Sequence, residues 1–172
     1  MPDILADIRS WKGKPKALNE RLIGVVGNDR GLVQHLFEAL DGGNDKEKGV
    51  CLEVLEAVTK DHPDWCAGRL SAVIKFIGHK APRVKWESSR VVANLAPMFP
   101  QEAAGAIPKL LANTGDKGTV VRWSAAFALG EILKHNENER ESLLARVDAL
   151  LKKEQNNGVR NVYLKAMKAV KK

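Results

Sequence analysis

The chain has 172 residues, of which 28 are Lys or Arg and 21 are Asp or Glu, so its formal net charge is +7. Apolar residues make up 44% and charged residues 28%, which excludes a disordered chain, a collagen and a disulfide-dense miniature protein. The length suits one domain, residues 1–172, that buries its own core.

The cysteine count and the lack of long apolar runs indicate the cellular compartment. Cys51 and Cys66 are too few to hold a fold of this size together, so we expect two buried, reduced thiols. No apolar run in the sequence is long enough for a signal peptide or a membrane span. We therefore expect a cytoplasmic protein that has no membrane partner.

The first 44 residues predict an end unit whose sequence diverges from the rest of the chain. A short helix is expected over residues 4–8, followed by a pair of helices over about 16–27 and 29–40. Within the second of this pair, Leu32, Leu36 and Leu40 recur four residues apart. That spacing is typical of a helix with one buried and one solvated face.

Residues 45–154 predict three repeats of two helices each, at 45–79, 80–114 and 115–154. The tripeptide Val84–Trp86 recurs in closely similar form as Val121–Trp123, 37 residues later, and the same spacing carries apolar positions onto apolar positions. Each of the three repeats, and the segment that follows them, also holds a basic residue at one equivalent place; the four are Lys48, Lys85, Arg122 and Arg160. Such a period is typical of stacked helical repeats, because a two-helix unit cannot bury its apolar face alone.

Residues 155–172 predict a single capping helix, over about 158–170, with a polar outer face. From Arg146 onward the chain has eight basic residues and two acidic ones, so this segment carries +6 of the net charge. Such a basic end binds nucleic acid or acidic protein surfaces, or it simply keeps an exposed helix in solution.

The central part of the sequence resembles the HEAT repeat. A proline-containing helix at Ile107–Leu111 is followed by an acidic loop residue, Asp116, and by Val121–Ile132, which combines a Val-Arg pair with alanines and a Leu-Gly pair. The resemblance implies an all-α, right-handed superhelical solenoid of about four helix pairs plus a C-terminal helix. It places first helices on the convex side and second helices on the concave side. It further implies that Asp116 and Arg122 hydrogen-bond between repeats, although His79 occupies the acidic position of the preceding unit.

The second helices carry the candidate binding residues. Aligned on their apolar stripes, the second helices of the three repeats place five basic residues and no acidic residue in three columns opposite the stripe: Arg69, Lys75, Lys109, Arg146 and Lys152. The divergent end unit has Leu32, His35 and Glu38 in the same columns, so the pattern fades toward the N-terminus. A basic groove of this kind favours carboxylates or phosphates, but Lys and Arg are also good helix formers on any solvated face. Trp65 is expected near the rim of this groove, where it either contacts a ligand or packs against the protein.

Two further tryptophans, Trp86 and Trp123, hold the same place in successive first helices. A binding role would need both rings to be exposed. We instead expect structural residues that fill the same gap between stacked units.

No constellation in the sequence predicts catalysis. There is no phosphate-binding loop and no nucleophile elbow, and Cys51, His62 and Cys66 lack the spacing of a zinc site. We therefore predict a protein with no catalytic residues, no metal, no cofactor and no small-molecule substrate.

Three functions fit these observations. The first is a non-catalytic binding module that presents a basic concave surface to a protein or peptide with an acidic surface. The second is nucleic-acid binding, which the scarcity of aromatic residues near the groove disfavours. The third and most remote is a DNA glycosylase-like activity, for which Asp64, Trp65 and Arg69 are suitable residue types.

Overall fold

The computed structural model describes residues 3–171, and all the regular structure within that range is helical. The α-helices in chain order are α1 (Ile4–Ser10), α2 (Pro15–Val26), α3 (Leu32–Gly42), α4 (Asp45–Asp61), α5 (Leu70–Ile74), α6 (Pro82–Leu95), α7 (Pro100–Ala103), α8 (Ile107–Asn113), α9 (Thr119–His135), α10 (Glu137–Lys153) and α11 (Asn157–Val170). Short 3-10 helices cover Pro63–Cys66 and Ala104–Ala106. The all-α class predicted from the sequence is confirmed.

The helices form two layers along the chain. The first helices α2, α4, α6, α9 and α11 stack, each against the next in this order. The second layer consists of α3, the segment Pro63–Ile74, the segment Pro100–Asn113 and α10, and each of these packs against a first helix. Helix α1 lies against α3, and α11 packs against α9 and α10.

Prolines and asparagines determine where most of these helices begin. Pro15 and Pro82 occupy the first turns of α2 and α6, where a missing N–H costs nothing. Asn44, Asn136 and Asn156 precede α4, α10 and α11, and each side chain accepts a hydrogen bond from a backbone N–H of the first turn.

The second helices of the two middle units are interrupted, whereas the sequence pattern predicts continuous helices. In the segment Pro63–Ile74, Gly68 separates the 3-10 helix from α5 and has a φ of +74°, which favours glycine. In the segment Pro100–Asn113, a 3-10 helix joins α7 to α8. Leu70 and Leu110 are fully buried, so the apolar stripe of each second helix continues past the break.

One hydrophobic core runs through the stack from Ile4 to Ala166. Its last contact is very close: a Cβ placed on Gly130 of α9 would lie 2.9 Å from the Cβ of Ala166 in α11. Both cysteines are free and lie inside this core. Burial raises the pKa of Cys51 to about 12 and that of Cys66 to about 11, so both thiols stay protonated at neutral pH.

Within residues 3–171, no helix combines the length and the apolar character needed to cross a membrane.

Candidate functional site

The repeated basic residues of the first helices join neighbouring units. Lys85 Nζ lies 2.8 Å from Asp116 Oδ2, and Arg122 Nε lies 3.0 Å from Glu154 Oε2. Arg122 Nη1 also donates to the backbone oxygens of Asp116 and Lys117. The carboxylate of Asp116 is therefore bound by the preceding unit, and Arg122 finds its own carboxylate in the following loop.

These contacts keep two loop carboxylates ionised. The hydrogen bond from Lys85 lowers the pKa of Asp116, helped by the backbone N–H of Gly118. Burial acts to raise the pKa of Glu154, but hydrogen bonds from the Asn156 N–H and from Arg122 outweigh burial and lower that pKa overall. Both loops are thus fixed by charge-assisted hydrogen bonds.

Lys48 is equivalent to Lys85 and Arg122, but it has a different hydrogen-bond acceptor because its unit lacks the loop acid. His79 stands where Asp116 and Glu154 stand in the later units, and Lys48 donates instead to the backbone oxygens of Leu40 and Gly43, at 2.8 and 2.7 Å. The interruption at His79 noted in the sequence therefore changes the acceptor of this cation from a side chain to the backbone.

The two repeated tryptophans are half-buried rather than enclosed. Trp86 Nε1 donates to Glu87 Oε1 at 3.0 Å, and the Trp123 ring lies 5.4 Å from that of Phe127. Trp123 also packs against a small C-terminal cluster that includes the buried Tyr163. Both indoles are therefore partly exposed, and Trp123 packs against apolar neighbours.

A buried carboxylate lies beside Trp86. The Glu87 side chain is 6% exposed, Arg90 Nη1 lies 3.8 Å from its Oε1, and its Oε2 has no hydrogen-bond partner. Burial raises the pKa of Glu87 above its ordinary value, against the opposing charge of Arg90.

We call the solvated side of the second layer the second-helix face, and it carries the five basic residues singled out in the sequence: Arg69, Lys75, Lys109, Arg146 and Lys152. Two of them have carboxylate partners, because Lys75 Nζ lies 2.8 Å from Asp41 Oδ1 and Lys152 Nζ lies 3.6 Å from Asp148 Oδ2. Both acids lie outside the three columns, so the column comparison missed them. Within residues 3–171, the other three basic residues have no carboxylate at ion-pair distance.

Arg69 and Trp65 meet in one pocket, which the other four basic residues do not line. Trp65 stacks on the ring of His62, with centroids 3.9 Å apart and planes 6° apart, and Arg69 lies 5.2 Å from the centroid of the Phe37 ring. The pocket has a volume of about 430 Å³ and is completed by α3 and the residues just before it.

Two lining residues of this pocket, Arg30 and Gln34, were not found from the sequence. They lie in the divergent N-terminal unit, whose register does not follow the later repeats, so no column pointed to them. Asp64, the acid that a glycosylase-like site would require, is exposed and does not line the pocket. Within residues 3–171, no group of three or more His, Cys, Asp or Glu side chains is arranged to hold a metal ion.

Comparisons with known proteins identify the fold. A designed armadillo repeat protein solved in complex with the peptide (KR)4 matches with a TM-score of 0.73 and 17% identity, covering 95% of this chain and 78% of that one. A second designed armadillo repeat protein matches with a TM-score of 0.69 and 16% identity, covering 97% of this chain and 80% of that one. A third, computationally designed for modular peptide recognition, gives 0.67 and 16% identity over 96% of this chain and 81% of that one.

At sequence identities this low, the structural similarity establishes the fold alone, and that fold is an armadillo-like α-solenoid. The predicted solenoid is therefore confirmed. No protein-family model and no curated protein matches the chain.

Proposed function

We propose that this chain is a divergent HEAT-type scaffold that binds an acidic peptide or protein segment on its second-helix face, which we take to be the concave side. The observation that carries the proposal is a set of cations on that face that have no carboxylate partner. Three of its five basic residues, Arg69, Lys109 and Arg146, have no carboxylate partner among residues 3–171. Unpaired cations on one face favour an anionic partner.

The similar solved structures support a peptide as the class of partner. One designed neighbour was solved with the basic peptide (KR)4, and another was designed for modular peptide recognition. The cations Arg69, Lys109 and Arg146 of the second-helix face lead us to propose a peptide of the opposite charge for this chain. The division into units at 45–79, 80–114 and 115–154 belongs to the same proposal, with one stretch of peptide facing each unit.

We propose that the protein is non-catalytic and cytoplasmic. Both thiols are buried with raised pKa values, which suits a structural role in a reducing compartment. The carboxylates with lowered pKa values, Asp116 and Glu154, are engaged by Lys85 and Arg122 in holding loops. Neither is arranged as a free acid or base for catalysis.

Fluorescence polarisation with labelled peptides tests the proposal. The probes are an octapeptide of alternating Asp and Glu, the basic peptide (KR)4, and single-stranded and duplex oligonucleotides. We expect the acidic octapeptide to bind and (KR)4 not to bind. The double variant Lys109→Ala/Arg146→Ala should weaken acidic-peptide binding by about tenfold or more, because two unpaired cations are lost.

The matched control is Lys16→Ala/Arg21→Ala, which removes two exposed cations from α2 in the other layer and should change the affinity less than about twofold. Equal losses in both double variants would mean that net charge alone attracts the peptide. Tighter binding of an oligonucleotide would favour the nucleic-acid alternative; log affinity should then fall against log salt with a slope of about −0.9 per duplex phosphate contact.

A further inference from the structure

The pocket between the first two units combines two arginines, one tryptophan and no acid. Its lining comes from α3 and the residues before it, which contribute Arg30, Val33 and Gln34, and from the segment after α4, which contributes Trp65 and Arg69. No carboxylate lines it, and among residues 3–171 none lies at ion-pair distance from either arginine. Two arginines without a carboxylate partner thus line one open space of about 430 Å³, and such a lining favours an anion.

Arg69 is held in place for this role by its packing. It precedes α5 as the N-cap residue and is half-buried, and its guanidinium lies 5.2 Å from the centroid of the buried Phe37 ring. Stacking on an aromatic ring restrains a guanidinium without using its N–H donors. The N–H groups of Arg69 therefore stay available for two parallel hydrogen bonds to one anion.

Trp65 is held in place by a second stack. Its ring lies parallel to that of His62 at 3.9 Å, and it remains partly exposed toward the pocket. Gly68, the one residue among 3–171 with a positive φ, lies between Trp65 and Arg69 and turns the chain so that both line the same space. The nearest acid in sequence, Asp29, is already engaged, because its Oδ1 accepts a hydrogen bond from the Gly31 N–H at 2.9 Å.

We infer that this pocket anchors one carboxylate side chain of the acidic peptide, with Arg69 and Arg30 binding the carboxylate and Trp65 covering the peptide beside it. This inference rests on the proposed function and narrows it to one anchoring point. A guanidinium group binds a carboxylate through two parallel hydrogen bonds, and the partly exposed ring of Trp65 offers apolar surface to the methylene groups that carry the carboxylate. The remaining cations of the second-helix face then attract the peptide without fixing its position.

Fluorescence polarisation with the Asp/Glu octapeptide tests the anchor. Arg69→Ala should weaken binding by about tenfold or more, because a partly desolvated charged pair is lost. Arg69→Lys should weaken binding by about three- to tenfold, because the charge is kept while the stack on Phe37 and the two-pronged contact are lost. The matched control is Arg21→Ala, which removes an exposed arginine from α2 in the other layer, and we expect it to lose less than about twofold.

Each other outcome overturns a defined part of the inference. If Arg69→Ala weakens binding no more than Arg21→Ala does, while the unmodified protein binds the octapeptide, the anchor is wrong and the proposed function stands. If the unmodified protein does not bind the octapeptide, the proposed function fails and the anchor with it. If an octapeptide of alternating Asp and phosphoserine, or an oligonucleotide, binds more tightly and with the same dependence on Arg69, the pocket selects phosphate and not carboxylate.

Two checks separate binding from folding. Thermal unfolding followed by circular dichroism should give closely similar melting temperatures for Arg69→Lys and the unmodified protein, so that its loss of affinity reflects the pocket. Trp65→Leu keeps an apolar side chain at the rim and should weaken the octapeptide by about two- to fivefold, because aromatic contact area is reduced. An unchanged affinity for both Arg69→Lys and Trp65→Leu would overturn the anchor.

Discussion

Arg122 shows how one side chain can join two units of the stack. It contacts the loop before its own helix through the backbone oxygens of Asp116 and Lys117, and the loop after the next helix through Glu154. The Glu154 side chain is only 8% exposed, so the carboxylate depends on this arginine for its charge compensation. We therefore infer a structural role for Arg122 and not a role in binding.

Arg122→Ala should destabilise the protein by about 2–3 kcal/mol, because it leaves a nearly buried carboxylate without its cation. Urea denaturation followed by circular dichroism measures this loss. Lys16→Ala, which removes an exposed ion pair to Glu20, should change stability by less than about 0.5 kcal/mol. A loss of peptide binding at unchanged stability would instead assign Arg122 to a functional surface.

The free energy of unfolding depends on pH in one direction through Glu87 and in the opposite direction through Asp116 and Glu154. Its pKa is raised in the folded protein, so the folded state holds a proton more tightly than the unfolded chain does. That contribution is complete below the unfolded pKa of about 4.3 and is lost as the pH rises through the folded value. Asp116 and Glu154, whose pKa values are lowered, stabilise the protein above the unfolded pKa and lose that effect as the pH falls.

Glu87→Gln isolates this one group, because all other carboxylates are common to both proteins. The difference between the two free energies of unfolding, variant minus unmodified protein, should increase as the pH rises from about 4 to about 8, because only the unmodified protein loses the contribution of protonated Glu87. Urea denaturation at five pH values measures the difference. A difference that stays constant over this range would contradict the burial of an ionisable group at this position.

At the scale of helices, the contact between α9 and α11 is limited by backbone approach. Gly130 faces Ala166 so closely that a Cβ at Gly130 would lie 2.9 Å from the Cβ of Ala166. Neither atom belongs to a flexible side chain end, so the helices themselves must separate to relieve the overlap. The last helix is therefore held by a pair of small residues as well as by apolar packing.

Gly130→Ala should destabilise the protein by about 1–3 kcal/mol through overpacking, although alanine favours a helix over glycine by about 1 kcal/mol. Gly24→Ala in α2 is the control, since nothing lies within 4 Å of its added Cβ, and it should stabilise by about 0.5–1 kcal/mol. The double variant Gly130→Ala/Ala166→Gly should recover part of the loss in thermal unfolding. A stabilising effect of Gly130→Ala alone would refute the close contact.

The periodicity of the sequence predicted most first helices well. The expected last helix at about 158–170 is Asn157–Val170, and the short helix expected at 4–8 is Ile4–Ser10. The spacing of apolar residues does not indicate the break at Gly68, because the apolar stripe continues past Gly68 although the backbone turns there. A continuous helix was therefore predicted where the structure has two short ones.

The candidate site was predictable only in part, for a related reason. Arg69 and Trp65 lie inside a recognisable repeat, so the sequence pattern places both near the start of one second helix, and both line the pocket. Arg30 comes from the divergent unit and enters the pocket through packing between units, which no alignment of columns reveals. The pairing of Lys75 with Asp41 likewise joins residues 34 positions apart in neighbouring units.

At the scale of the whole molecule, each unit contacts little beyond its neighbours. Helices α6 and α9 each have a first helix on both sides, whereas α11 has one on a single side and α1 packs mainly on α3. Stability in such a stack is approximately the sum of unit and interface terms. Opening should therefore begin at the ends.

Hydrogen exchange followed by mass spectrometry measures this gradient. Amides in α6 and α9 should exchange most slowly, and those in α1 and α11 most rapidly, since opening of an end breaks fewer contacts. Low concentrations of urea should widen the fast-exchanging regions from both ends inward. A single exchange rate shared by all helices would mean that the chain unfolds as one cooperative body.

The contact between Lys85 and Asp116 also bears on how this protein can grow in length. Lys85 lies at the start of one unit and Asp116 in the loop that precedes the next, so a tandem gene duplication of residues 82–118 would copy donor and acceptor together. Both copies of Lys85 in the lengthened chain would meet a copy of Asp116, and Arg122 would still meet Glu154. Residues 82–118 are therefore a self-compatible module, and a gene encoding two copies should yield a solenoid longer by one unit.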